Sequence, residues 1–200
     1  MLLQYTWKLF LDPQKTWEEI RDKDCSIARC YLSYIMIIAA IAPIAGFFGT
    51  TMVGWQIGDG EVVRLSTQSA LFIAVIYYFA ILASVLVIAL TVRWMGKTYG
   101  SDISLTQGVK LVTYAITPIL LVGILELYPV LWLNLIVGLV ALTYTVYLLY
   151  SGVPILFKMP SDKGFLFSSS LLAIGLVALV SLLGLMTFFW DWGFAPQFVS

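Results

Sequence analysis

The sequence predicts an all-α membrane protein in which five transmembrane helices form one bundle. Hydrophobic residues make up 61% of the 200 residues and charged residues only 11%, whereas about a quarter of a typical soluble domain is charged. Five long apolar runs follow one another with short connectors. A helical run of about twenty apolar residues crosses the roughly 30 Å hydrocarbon core of a bilayer. Length and composition therefore leave no room for a separate soluble domain.

The chain divides into a short tail, residues 1–30, and a single membrane domain, residues 31–200. The five predicted spans lie at about residues 31–53, 68–92, 108–127, 130–151 and 168–190. No internal sequence repeat relates the spans to one another. An odd number of spans also argues against the simplest two-fold transporter plan.

Positive charge is distributed unevenly about these spans, although the formal net charge is zero. In a five-span arrangement, ten of the eleven Lys and Arg residues fall on one side of the membrane, and only Arg64 falls on the other. Lys and Arg accumulate on the cytoplasmic side of membrane proteins. We therefore expect a cytoplasmic N-terminus and an external C-terminus.

The tail is predicted to contain a short amphipathic helix on the cytoplasmic face. Asp12 and Pro13 suit the cap and the first position of a helix. Beyond them, apolar residues recur near helical spacing at Trp17, Ile20 and Ile27. Such a helix either lies on the membrane surface with Trp17 among the headgroups or packs against the protein's own connectors.

Small residues mark one face of the first predicted span. Two small-xxx-small pairs overlap there, Ala42 with Gly46 and Ala45 with Gly49. Such pairs allow another helix to approach closely in lipid, and Pro43 among them predicts a bend. We interpret this face as a helix-packing seam whose partner belongs either to the same chain or to another copy.

A small external β-hairpin is predicted between the first and second helices. Asp59 and Gly60 suit the central positions of a type I′ turn, and the flanking segments 55–57 and 62–64 have the composition of strands. A calcium loop is the alternative, since Asp59 and Glu61 are close together. However, the repeated oxygen ligands of an EF-hand loop are missing from the sequence.

Few polar or helix-bending residues lie inside the third and fourth spans, and these are the candidate site positions. They are Tyr114, Pro118, Glu126, Asn134 and Tyr144. Pro118 frees a backbone carbonyl near Tyr114, and Glu126 is the one acid within an apolar run. Intramembrane ionisable groups are costly and usually functional, so a polar path through an oligomer is one interpretation. The other places Glu126 among the outer headgroups, because the Tyr128–Pro129 turn follows it closely.

The composition argues against an enzyme or a metalloprotein. The chain has no His and only two cysteines, Cys25 and Cys30. The usual catalytic triads and an ordinary four-ligand zinc site therefore cannot be completed. We expect no catalytic residue, no metal ligand and no cofactor, and we do not expect nucleic acid as a partner.

The order of motifs along the chain resembles that of one known family. A polar connector precedes TYAITPILL, a tight LYP turn follows, and a span ending YLLYSGVP leads through a short basic connector to FSSSLLAIG. Together with LFLDPQKTWEEI in the tail and IGDG in the first connector, this order resembles the Yip domain family of five-span membrane proteins. It looks most like the bacterial inner-membrane branch. The family was first named for interaction with Ypt/Rab GTPases.

The resemblance implies a multi-pass protein of the plasma membrane, which in bacteria is the inner membrane, with membrane-organising roles and a tendency to self-associate. The eukaryotic branch carries an Asp-Leu-Tyr-Gly-Pro motif, and the nearest counterpart here is only Leu11-Asp12-Pro13. We therefore expect a non-enzymatic oligomeric scaffold that contacts membrane lipid, further copies of itself, and membrane or cytoplasmic protein partners. The alternative is a homo-oligomeric channel, or a carrier of ions or small solutes, with a polar path near Tyr114, Pro118, Glu126 and Asn134.

Overall fold

The computed structural model describes residues 4–23, 34–56, 60–189 and 197–199, and helices dominate them as predicted. In chain order the helices are α1 (Gln4–Leu11), α2 (Pro13–Asp22), α3 (Met36–Ile38), α4 (Ile41–Phe48), α5 (Thr67–Thr98), α6 (Leu105–Ala115), α7 (Thr117–Val122), α8 (Leu131–Phe157) and α9 (Ser161–Phe189). A π-helical segment, Gly49–Val53, follows α4, and a 3-10 segment, Gly123–Leu127, follows α7. Two short strands, β1 (Arg64–Leu65) and β2 (Phe198–Val199), pair antiparallel.

Among the described residues, three helical segments are long and apolar enough to cross a membrane. They are Met36–Val53, Thr67–Thr98 and Leu131–Phe157. A fourth results if α6 and Thr117–Leu127 form one span bent by 43°. The fifth predicted span, residues 168–190, falls mostly on α9. The described residues thus support three or four spans, and the fifth crossing stays a prediction.

Two of the predicted span boundaries differ from the helices that form. Helix α5 continues beyond residue 92 to Thr98, and α8 continues beyond residue 151 to Phe157. Pro154, which follows the predicted end of the fourth span at residue 151, therefore lies inside α8. A proline within a helix costs one backbone hydrogen bond. Helix α8 nevertheless runs on for one more turn, because its last residues, Leu156 and Phe157, are buried in the core.

The first and third spans are both broken. A turn at Ala39–Ala40 separates α3 from α4, and Ile116 separates α6 from α7. Pro43 and Pro118 each follow the break closely, within the first turn of the next helix. A first-turn position needs no backbone N–H donor. The prolines therefore start the second half of each span, and the interruption falls just before them.

The tail folds back onto the bundle. Lys15 donates its backbone N–H to Asp12 Oδ1 at 3.2 Å, so α2 begins at the predicted cap with Pro13 in the first turn. Trp17 is fully buried, and Ile20 is 2% exposed. Of the two alternatives for this helix, the structure therefore shows packing within the protein, although the contact is with α8 rather than with a connector. Ile27, Cys25 and Cys30 lie outside the described residues.

The predicted hairpin falls partly on residues that the structure does not describe, Asp59 among them. Trp55 and Val63 form an isolated antiparallel bridge, with N···O distances of 3.0 and 2.9 Å. The adjoining strand β1 instead pairs with the C-terminal strand β2, so that Leu65 lies opposite Phe198. The C-terminal residues are thereby held at the connector between the first two spans.

Candidate functional site

Tyr114 on α6 lies at the centre of a buried aromatic cluster. Its ring contacts Tyr34, which lies just before the segment Met36–Val53, and two residues of the tail. The ring centroids are 4.8 Å away for Tyr34, 6.2 Å for Tyr5 and 6.5 Å for Trp17. Tyr5 and Trp17 approach the Tyr114 ring edge to face, a geometry that adds to the energy of simple burial. Tyr114 thus anchors the tail to the third span.

A directed chain of hydroxyl groups runs from the tail to the break in the third span. Thr117 Oγ1 donates to the Thr113 carbonyl at 3.0 Å. Its single proton is then used, so Tyr34 Oη donates to Thr117 Oγ1, 2.9 Å away. By the same reasoning Thr6 Oγ1 donates to Tyr34 Oη, 3.0 Å away. Pro118, the next residue, therefore lies beside a hydrogen-bonded network that is internal to the protein.

Lys110 holds the C-terminal end of α2. Its side chain is only 6% exposed, and Nζ donates to the Ile20 carbonyl at 2.9 Å and to the Lys23 carbonyl at 2.6 Å. The last carbonyls of a helix lack backbone partners and carry partial negative charge. The buried ammonium of Lys110 supplies hydrogen-bond donors to them and offsets that charge. The sequence presented Lys110 only as a cytoplasmic charge. No local signal reveals this contact, because its partners lie about ninety positions away.

Tyr144 on α8 holds the first tail helix. Its hydroxyl donates to the Leu9 carbonyl at 2.8 Å, and its ring stacks on Phe10 with centroids 5.2 Å apart. Nearby, Gly152 leaves room for the indole of Trp17: a Cβ at this position would lie 2.6 Å from the ring. We call the surface formed by Lys110, Tyr114, Tyr144 and Gly152 the tail-docking surface.

Charge at the end of α2 is balanced locally. Arg21 binds the Asp22 carboxylate with Nε at 2.7 Å from Oδ1. This hydrogen bond lowers the pKa of Asp22, with further contributions from the charge of Arg21 and from Lys158 and Lys110. An acid at a helix C-terminus is ordinarily unfavourable, and these cations offset that effect.

Glu126 lies where the two broken spans meet. Tyr77 Oη on α5 donates to Glu126 Oε1 at 3.2 Å. Gly46 gives the carboxylate its space, because a Cβ there would lie 2.7 Å from Oε2. Glu126 is half-buried, so its carboxylate contacts the first and second spans as well as its own.

The predicted packing seam faces this part of the third span. A Cβ on Gly49 would collide with the Glu126 carbonyl, and one on Gly123 would collide with Ala42. Ala42 and Ala45 are both buried. The 3-10 segment Gly123–Leu127 of the same chain therefore occupies the groove that the small residues create.

Asn134 makes a separate contact at the start of α8. Its Nδ2 donates to the Tyr128 carbonyl at 3.3 Å, across the turn between the third and fourth spans. The five candidate positions thus lie in different parts of the molecule. Tyr114 and Tyr144 contact the tail, and Pro118 follows the helix break. Glu126 contacts three spans, and Asn134 stabilises a turn. Their contacts do not bring them together around one shared ligand.

One further feature was not predicted from the sequence. A groove of about 350 Å³ opens sideways between α4 and α5, and its lining has no polar surface. We call it the lateral groove. Large apolar residues are common everywhere in such a chain, so the sequence contains no signal that distinguishes these positions. Within the described part of the chain, no group of three Cys, Asp or Glu side chains is placed to hold a metal ion.

Long apolar helices packed around an inward-folded tail define a polytopic helical membrane protein. The Yip1 domain model matches residues 7–182, and the chain belongs to this family. The chain is also similar to the inner membrane protein YohC of Escherichia coli, from strain K12 and from strain O6:H1. Each is 38% identical over 192 residues, which cover 96% of this chain and 98% of the relative. The resemblance to the bacterial branch is thereby confirmed. No solved structure matches the chain significantly.

Proposed function

We propose that the protein is a non-enzymatic scaffold of the bacterial inner membrane that associates with copies of itself and organises lipid or protein partners. The observation that carries this proposal is how the intramembrane polar groups are used. Tyr144 and Asn134 donate to backbone carbonyls of this chain, Glu126 accepts from Tyr77, and Tyr114 packs among other rings. Groups tied to their own chain stabilise one architecture, which suits a scaffold better than a transport path.

The solvent-exposed face of α1, the first helix of the tail, supports contact with lipid. Tyr5 and Leu9 of α1 are buried, whereas Trp7 is 75% exposed and Leu11 is 84% exposed. Exposed Trp and Leu on one face of a helix suit the boundary between headgroups and acyl chains. With the tail on the cytoplasmic side, the lysines of the tail and connectors would contact anionic lipid.

Crosslinking in native membranes followed by mass spectrometry tests the proposal. A discrete homo-oligomer with reproducible co-purifying proteins is expected. A monomer that captures neither copies nor partners would contradict the scaffold function. A matched membrane protein of similar length, expressed at the same level, controls for random collisions in a crowded bilayer.

One observation favours the alternative, a channel or carrier. Glu126 is an ionisable group placed among three spans, and such groups often mark ion paths. Purified protein in liposomes would then show ion flux that Glu126→Gln abolishes. Under the scaffold proposal, we expect the flux of the native protein to equal that of empty liposomes.

A further inference from the structure

The lateral groove lies between two segments that are each long enough to cross the membrane. Its walls include Pro43, Ile44 and Phe47 from α4, and Leu71, Val75 and Phe79 from α5. Leu71 and Phe79 are eight residues apart, so the groove extends about 12 Å along α5. Tyr78 also borders the groove, but its hydroxyl donates to the Met36 carbonyl at 3.2 Å. An occupant therefore finds only hydrocarbon and ring surfaces.

The walls fit a thin, flexible occupant better than another helix. Helices approach one another closely in lipid where small residues line the contact. Gly46 and Gly49 of the first span face the 3-10 segment of the same chain and are already covered. Ala40 and Ala74 leave space inside the groove, and the rings of Phe47, Phe48 and Phe79 border that space. Rings of this size keep a second helix at a distance. An acyl chain is narrow enough to lie between such rings.

Along the chain, Arg64 precedes α5 on the side of the groove where Leu71 lies. Arg64 in β1 precedes the N-cap of α5, and Leu71 lies about one turn inside that helix. The Arg64 stem packs over Gly54, where a Cβ would lie 2.8 Å from Arg64 Cγ. The residue is exposed, and none of the ion pairs among the described residues includes it. A guanidinium in this position is suited to a phosphate group.

We propose that the lateral groove binds one acyl chain of a phospholipid whose phosphate is held by Arg64. The apolar walls of the groove favour an acyl chain. Arg64, in β1, favours a headgroup that contains phosphate. This site goes beyond the scaffold function and does not depend on self-association. A monomer would bind the lipid equally well.

Photolabelling of the full-length protein in phospholipid vesicles tests the site. The probe is a phospholipid with a diazirine in the middle of one acyl chain, and labelled residues are located by mass spectrometry. We expect adducts to concentrate on Phe47 and Phe79. Ala74→Phe places a ring inside the groove and should lower labelling there at least tenfold. Ala40→Leu, on the opposite wall, provides a second blocking variant should Ala74→Phe not fold.

Gly138→Phe is the matched control, because nothing lies within 4 Å of a Cβ at this position on α8. It should leave groove labelling unchanged. Equal labelling of exposed residues such as Leu135 and Leu139 would overturn the proposal. Crosslinks from the groove into a second copy would also overturn it, since the occupant would then be protein.

The contribution of Arg64 has its own test. A diacylglycerol carrying the same photoreactive chain lacks the phosphate and should label the groove several-fold less than the phospholipid. Arg64→Gln should remove this difference while leaving diacylglycerol labelling unchanged. A phospholipid preference that persists in Arg64→Gln would contradict the assignment of the phosphate to Arg64.

Discussion

At the scale of single residues, the buried side chain of Lys110 donates hydrogen bonds to backbone carbonyls at the end of a helix, where no backbone N–H is available. Lys110 Nζ lies between the carbonyls of Ile20 and Lys23 and closes the end of α2. Taking a Lys out of water is costly unless its donors are used. The two short hydrogen bonds offset that cost here, so the tail helix and the third span stabilise each other.

Replacing this residue should therefore weaken the whole fold. Lys110→Met keeps the length of the side chain but removes the donor from the buried carbonyl of Ile20 and the half-buried carbonyl of Lys23. A buried group left unpaired costs about 1–3 kcal/mol. We expect a lower thermal unfolding midpoint in detergent. Lys97→Met is the matched control, because Lys97 is exposed on α5. Equal shifts for the two variants would show that Lys110 has no structural role.

At the scale of elements, the molecule is organised by contacts between helices that are not regular. Helix α4 packs against the 3-10 segment Gly123–Leu127, and the close approach depends on Gly46 and Gly49. Both spans are interrupted close to this contact. The backbone carbonyl of Glu126 therefore lies directly against Gly49.

This contact predicts an asymmetry between two glycines. Gly49→Ala places a Cβ against the Glu126 carbonyl, so the spans must separate, and overpacking of this kind costs about 1–3 kcal/mol. Gly138→Ala meets nothing within 4 Å and should leave stability unchanged or slightly raised, since Ala favours helix over Gly. Thermal unfolding of the monomer distinguishes them. A Gly49→Ala effect seen only in the oligomer would place the partner of the seam on another copy.

The docked tail makes a second prediction at this scale. Gly152→Leu fills the space that the Trp17 indole occupies, so α2 should leave its position on α8. Limited proteolysis should then cut faster near Lys8 and Lys15, while the membrane domain stays intact. Gly175→Leu, on α9, faces open space at its Cβ and should not change the cleavage rate. Unchanged cleavage in Gly152→Leu would mean that the tail is held by other contacts alone.

The sequence predicted the elements better than it predicted their partners. Asp12 and Pro13 identified the start of α2, and Pro118 identified the break in the third span, because capping and proline sterics act within a few residues. The partners of Lys110 and Tyr144 lie far away in the chain. Such contacts depend on how the helices pack, and a periodic pattern along one helix does not specify that packing. The lateral groove was missed for the same reason.

At the scale of the whole molecule, two contacts constrain where the chain ends lie. Lys110, at the start of the third span, holds the tail. The strand pair β1–β2 holds the C-terminal residues at the connector between the first two spans. The second span, α5, runs from that connector to the connector before α6. The two chain ends are therefore expected on opposite sides of the membrane, as an odd number of crossings requires.

The charge distribution predicts which side is cytoplasmic, since Lys and Arg accumulate on the cytoplasmic side of membrane proteins. A reporter that fluoresces only in the cytoplasm should stay dark when fused after Ser200. The same reporter fused after Gly100, in the connector between α5 and α6, should be bright and shows that the reporter folds. Fluorescence from both fusions would require an even number of crossings. The strands β1 and β2 would then lie on opposite sides of the membrane, which would contradict their pairing.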